Sequence, residues 1–171
     1  MFNKLFKQKN EEARDLYACA LISTRKELFY SKYGVADSFD GRFDLLLLHI
    51  FIILRRAMGR DDYQKLSQAI FDIMFKDVDQ TLRERGIGDV GIPKHMKKMM
   101  LAFNGRMHAY QDALESGDLK EAVARNLYAM DIDDKLLDKN ALNAICEFTQ
   151  INLNSYNNLG DFVILEGQKA I

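Results

Sequence analysis

Leu45-Leu46-Leu47-Leu48-His49-Ile50-Phe51-Ile52-Ile53-Leu54 is an apolar run interrupted by one histidine. Asp40-Gly41-Arg42-Phe43 stands before it and Arg55-Arg56 closes it. A bilayer crossing needs roughly 20 apolar residues, so this run is too short to span one. A helix apolar on every side must instead be wrapped by other helices. The segment therefore predicts the buried central helix of a soluble all-α domain.

The rest of the chain suits that frame. It has 171 residues, most simply one domain spanning 1–171, and 48% of them are hydrophobic, which argues against disorder. Its one proline is Pro93, and no alternation of apolar and polar residues is long enough for a sheet. Glycines at 34, 59, 86 and 117 mark helix ends. The expectation is a compact all-α single-domain bundle of about six helices around a central apolar helix, residues ~40–58.

Helical spacing predicts a first helix over Glu11–Tyr33, with Ala13, Leu16, Tyr17, Ala20 and Leu21 on one stripe. The second starts at Ser38 or Asp40, both good caps, and ends near Gly59. The third covers Asp61–Arg85, with Phe71, Met74, Phe75, Val78 and Leu82 inward. Pro93 suits the first turn of the fourth. There Met96, Met100, Phe103, Met107, Tyr110 and Leu114 step alternately by four and three, a heptad-like seam. In that reading Met100 and Met107 fill the core, and Met96 and Met99 are partly exposed. A short fifth helix follows Ser116-Gly117-Asp118, and a sixth runs Asp138–Tyr156 with Leu142, Ile145, Thr149 and Leu153 inward. Residues 1–10 are expected to fray. Residues 157–171 form an irregular tail in which Phe162-Val163-Ile164-Leu165 docks as an extended segment or drapes over the bundle.

The chemistry-bearing residues form no catalytic set. Gly86, Gly88 and Gly91 spell G-x-G-x-x-G, but the dinucleotide fingerprint needs a preceding strand, and here a helix precedes it. The glycines read as a tight helix–helix turn, and an anion at the next helix N-terminus beside Lys94 is the residual functional reading. His49, His95 and His108 share no metal spacing with one another or with Cys19 and Cys146. His49 is expected to be a buried, hydrogen-bonded imidazole. Asp72 and Asp79 share a helix face and Asp77 is offset from it; Lys76, Arg83 and Arg85 are near enough to neutralise them. The two cysteines form no C-x-x-C pair and read as reduced and semi-buried. No catalytic residue, metal or cofactor is therefore assigned.

Charge is organised locally rather than globally, since the formal net charge is −1. Nucleic acid is not an expected partner on that balance. Val90–Gln111 holds no acid but carries Lys94, Lys97, Lys98, Arg106, His95 and His108 beside the methionines, whose soft side chains suit varied apolar partners. Asp112–Asp138 is acidic by contrast. At the N-terminus Phe2, Leu5 and Phe6 alternate with Lys4, Lys7 and Lys9. That pattern allows at most a peripheral membrane contact. With no signal peptide in the first residues, the expected location is cytoplasmic, at most peripheral to the inner face of the cytoplasmic membrane.

Several phrases stand in order: Phe29-Tyr30, Tyr33-Gly34-Val35-Ala36-Asp37, Asp40-Gly41-Arg42-Phe43-Asp44, Leu48-His49, Leu54-Arg55-Arg56, Phe71-Asp72-Ile73-Met74-Phe75, Leu82-Arg83-Glu84, Gly86-Ile87-Gly88-Asp89 and Ala102-Phe103-Asn104-Gly105-Arg106. Together they resemble the ubiquinol–cytochrome c chaperone family in its α-proteobacterial form, a relative of the mitochondrial complex III assembly factors. The likeness covers Phe29–Leu114 strongly and most of the chain weakly. It implies a non-enzymatic assembly chaperone for ubiquinol–cytochrome c reductase (respiratory complex III). Its partner would be immature cytochrome b or another complex III subunit, with a small partner protein. A general all-α interaction adaptor or a lipid-surface protein with another client is the alternative. The candidate contact residues are Arg42, Arg55, Asp72, Asp79, Gly88, Asp89, Lys94, Lys98 and Arg106, whereas Asp40, Gly41, Phe43, His49 and Phe75 are expected to hold the fold.

Overall fold

The structure, a computed structural model, describes residues 2–155 and 158–163, with side chains from residue 10 onward. Seven helices follow one another: α1 Phe2–Thr24, α2 Leu28–Ser31, α3 Phe39–Ala57, α4 Tyr63–Glu84, α5 Ile92–Ser116, α6 Leu119–Leu127 and α7 Lys139–Leu153. No strand occurs among the described residues.

Every residue of the Leu45–Leu54 run is buried. Two apolar clusters divide its circumference. Leu46, Leu47, Ile50, Ile53 and Leu54 pack with α1 and α4. Leu45, Leu48, Phe51 and Ile52 pack with α6, α7 and the α2 region around Phe29. α5 closes both layers, giving Met99 and Phe103 to the first and Tyr110 and Ala113 to the second.

Ser38 caps α3 by accepting a hydrogen bond from the Gly41 amide at 3.1 Å, and Asp40 sits in the positively polarised first turn. Gly41 is required sterically, because a Cβ there would stand 2.2 Å from the Ala36 carbonyl oxygen. Asp138 caps α7 through the amides of Asn140 and Ala141.

Three sequence expectations change. The first helix does not reach Tyr33: it ends at Thr24, and a separate turn, α2, follows. No glycine or proline marks that break. The chain turns there because α1 serves the first cluster while Phe29, Tyr33 and Val35 are buried in the second. The Tyr30 hydroxyl, bonded to the Thr24 carbonyl at 2.5 Å, pins the turn. α1 also begins at Phe2 rather than Glu11, though the side chains of Phe2, Lys4, Leu5, Phe6, Lys7 and Lys9 lie outside the described residues.

The α5 seam takes the other heptad register. Ile92, Met99, Phe103, Tyr110 and Ala113 are buried, whereas Met100 is 36% exposed and Met99 only 6%. The inward line therefore runs 92–96–99–103–106–110–113 and passes through Arg106. That guanidinium is accommodated by an ion pair with Asp44 of α3 at 2.7 Å, with both side chains mostly covered. Met107 is half-buried at the edge of the seam.

The last helix stops at Leu153, and Tyr156 lies outside the described residues. Of the expected docking tail, Phe162 and Val163 do dock, and Ile164 and Leu165 lie outside the described residues. The Asn152 carboxamide pairs with Val163 as a strand would, accepting from its amide at 2.8 Å and donating to its carbonyl at 2.9 Å. Arg56 donates to the carbonyls of Asn158, Leu159 and Asp161 and holds the same segment.

Two glycine substitutions separate steric need from helix propensity. Alanine ordinarily favours a helix interior by about 1 kcal/mol over glycine. Gly105→Ala, which meets open space in α5, is expected to stabilise by about 0.5–1 kcal/mol. Gly41→Ala is expected to destabilise by about 2–4 kcal/mol, because the clash with a backbone carbonyl outweighs propensity. Urea unfolding of both variants checks the opposite signs.

Candidate functional site

The C-terminal turns of α3, the first half of α4 and the second half of α5 enclose an open cleft of about 510 Å³. Phe51 and Leu54 of α3, Phe71 of α4, and Phe103 and Met107 of α5 give it an apolar floor. Phe71 meets Phe75 at 4.5 Å and Phe103 edge-on at 5.3 Å, so the floor is an extension of the core. Arg55, Ser67, Gln68, Asn104, His108 and Gln111 line the cleft as polar groups. Among the described residues no carboxylate lines it. The sequence hid this cleft because its walls come from three helices and its floor residues look like ordinary core.

The contact residues expected from the sequence do not form one patch. Arg55 lies in the cleft, and Asp72 stands just beyond it, accepting from Gln68 at 2.7 Å. Asp79 and Asp89 are gathered on Arg83, Asp79 at 2.7 Å and Asp89 in a still shorter contact, near the far end of α4. That is roughly 22 Å along the helix from Gln68. Gly88 belongs to the turn after it and receives the amides of Gly91 and Ile92 on its carbonyl. Lys94 and Lys98 are exposed on the first half of α5. Arg42 sits at the start of α3, paired with Asp37 at 2.6 Å and stacked over Tyr30. Arg106 faces inward onto Asp44 rather than outward. Burial raises the Asp44 carboxyl pKa, while Arg106 and Lys98 pull it back down. Among the described residues no group of three or more His, Cys, Asp or Glu is placed to hold a metal. Gly86, at φ +84°, serves a helix–helix turn as expected.

Comparison with known proteins fits this architecture. The sequence profile described as "Ubiquinol-cytochrome C chaperone" matches residues 31–170. The chain belongs to the ubiquinol–cytochrome c chaperone family. It is 23% identical over 155 residues to the mouse ubiquinol–cytochrome c reductase complex assembly factor 1, covering 90% of this chain and 52% of that protein. It is 26% identical over 122 residues to the Xenopus laevis protein of the same name, covering 70% and 61%. The chain thus spans little more than half the length of these curated relatives. Its fold is similar to the crystal structure of the Cbp3 homolog from Brucella abortus, with a TM-score of 0.73, 34% identity and 97% of each chain covered.

In this chaperone-family chain His49 is fully buried and lines none of the clefts described. Nδ1 is 2.9 Å from the Leu45 carbonyl and Nε2 is 2.9 Å from the Ser23 hydroxyl. A carbonyl only accepts, so the neutral ring carries its proton on Nδ1 and Nε2 accepts from Ser23. The rings of Phe29, Phe148 and Phe162 surround it. No carboxylate is among these contacts. Burial pushes the imidazole pKa down to about 4.

A lowered folded pKa means that the unfolded chain binds more protons over the window from 6.5 down to about 4. Stability is therefore full above the unfolded value and falls as the solution is acidified. Moving from about pH 7 to about pH 5 is expected to remove about 2 kcal/mol through His49. His49→Gln, which cannot charge, should start less stable and lose much less over the same interval. Urea unfolding at the two pH values gives the comparison.

Proposed function

We propose that this chain is an assembly chaperone that binds immature cytochrome b and assists biogenesis of ubiquinol–cytochrome c reductase. Family membership supports the assembly role. The observation that carries the binding reading is the open cleft between α3, α4 and α5, where half-buried Phe71 and Met107 and exposed Met58 carry the apolar core out to the surface. Cytochrome b, before haem and the other subunits join it, presents apolar helix surface that needs temporary cover. The apolar surface that Phe71, Met107 and Met58 present in the cleft supplies such cover without fixing one partner geometry.

The contact surface in this reading starts at the cleft with Arg55 and continues past Asp72. The Asp79–Arg83–Asp89 cluster, the Gly88 turn, Lys94, Lys98 and the Arg42 end of α3 are further charged contacts for loops of the client or for a small partner protein. Rim charges of this kind steer encounter and register more than they add affinity. No helix among the described residues is long and apolar enough to cross a membrane. In this proposal the chaperone meets its client from the membrane surface.

Deleting the gene is expected to lower the b-type haem absorbance of membranes severalfold, together with assembled ubiquinol–cytochrome c reductase. Re-expression of the full chain should restore both. Immature cytochrome b should co-purify with the tagged chain. Normal b-haem in the deletion strain refutes the proposal, and membrane association with unaltered b-haem would support the adaptor or lipid-surface alternative instead.

A further inference from the structure

Arg55 and Arg56 are neighbours in sequence but leave α3 in different directions. Arg56 donates to three carbonyls of the docked segment at residues 158–161. Arg55 has no carboxylate partner among the described residues; its Nη1 rests on the Met58 thioether at 3.1 Å, a weak acceptor. It lines the 510 Å³ cleft and also a second cleft of about 370 Å³, bounded by Leu114 of α5, Gln150 and Leu153 of α7 and Asn154 just after it. Arg55 is thus the residue common to both, and among the described residues neither cleft has an acid in its lining.

Any segment that covers this groove strips water from the guanidinium. An uncompensated buried cation is strongly unfavourable. A basic segment would add repulsion, and a wholly apolar one would leave the cost standing. A carboxylate relieves it, because the planar fork of arginine donates to both of its oxygens at once. Acids do occur just outside, each held by a glutamine from the lining: Gln68 donates to Asp72 at 2.7 Å and Gln111 to Glu115 at 2.8 Å. The charge pattern is a cation within the groove and anions at two edges.

We propose that the groove takes an apolar segment of the client with one Asp or Glu in its middle, which pairs with Arg55, and with basic residues at its ends. This rests on the reading of the chain as a binder of immature membrane protein and names the chemistry of what it binds.

The test uses the full chain and three fluorescent model helices, identical apolar peptides with lysines at both ends and Glu, Gln or Lys in the centre. Fluorescence anisotropy measures Kd. Wild type should bind the Glu peptide about tenfold more tightly than the Gln peptide, and the Lys peptide least. In Arg55→Gln the Glu preference should disappear, and in Arg55→Glu the Lys peptide should bind best. Met107→Lys, in the floor, should weaken the Glu and Gln peptides alike. Circular dichroism verifies folding, and Arg55→Gln carries the test should Arg55→Glu not fold. Equal binding of Glu and Gln by wild type, absence of binding by all three, or a Glu preference that survives Arg55→Gln overturns the proposal. So does binding that ignores Met107→Lys, or self-association of the chain that Met107→Lys abolishes, which would assign the groove to a second copy. The deletion phenotype in b-haem is independent of these peptides, so the groove proposal can fail while the assembly role stands.

Discussion

α3 has no solvent face along Leu45–Leu54, and the rest of the molecule is arranged to satisfy that constraint. A fully buried leucine, isoleucine or phenylalanine contributes about 1.5–3 kcal/mol relative to an exposed one. One layer of helices covers only half of a cylinder. α1 and α4 take one side and α6 and α7 the other, and α5 runs long enough to touch both. The same enclosure dictates the state of His49. A polar ring in the middle of such a helix must find its partners inside, and Ser23 and the Leu45 carbonyl supply them.

Elements whose logic is local were legible in the sequence. Ser38, one of the two caps the sequence offered for that helix, does cap α3, and the α4 core positions Met74, Phe75, Val78 and Leu82 are buried at their helical spacing. Elements decided by distant residues were not. Two heptad registers on α5 share Met96, Phe103 and Tyr110. Choosing Met100 over Met99 follows naturally if Arg106 is assumed to avoid the seam. It does not avoid it, because Asp44 lies on another helix to neutralise it. The break after Thr24 has the same origin: no local residue forbids a continuous helix, and the two separate cores forbid it instead.

The candidate site divides along the same line. The phrases that resemble the chaperone family are in large part packing phrases. Gly41 clears the Ala36 carbonyl, Phe43 and Phe75 fill the first cluster, and His49 knits α1 to α3. They identify the family by how it folds, and they say little about where it binds. The cleft is built from residues such as Phe71 and Met107 that a sequence cannot distinguish from core, because burial is a property of the assembled helices.

Arginines 106 and 55 show how a fold differs in its treatment of two similar charges. Both sit against apolar surface near α3. Arg106 is given a carboxylate within the chain, and the resulting pair fixes α5 against α3. Breaking such a pair by removing one partner is costly because the other charge remains buried. Among the described residues Arg55 is given none, although Asp72 and Glu115 stand nearby on glutamines that line the same cleft. The folded chain tolerates this because solvent still reaches Arg55 through the open groove. A cation solvated only while a groove is empty makes occupancy conditional on the charge of the occupant. Apolar floor then supplies attraction, and the arginine supplies discrimination, two tasks that one apolar surface alone does not perform.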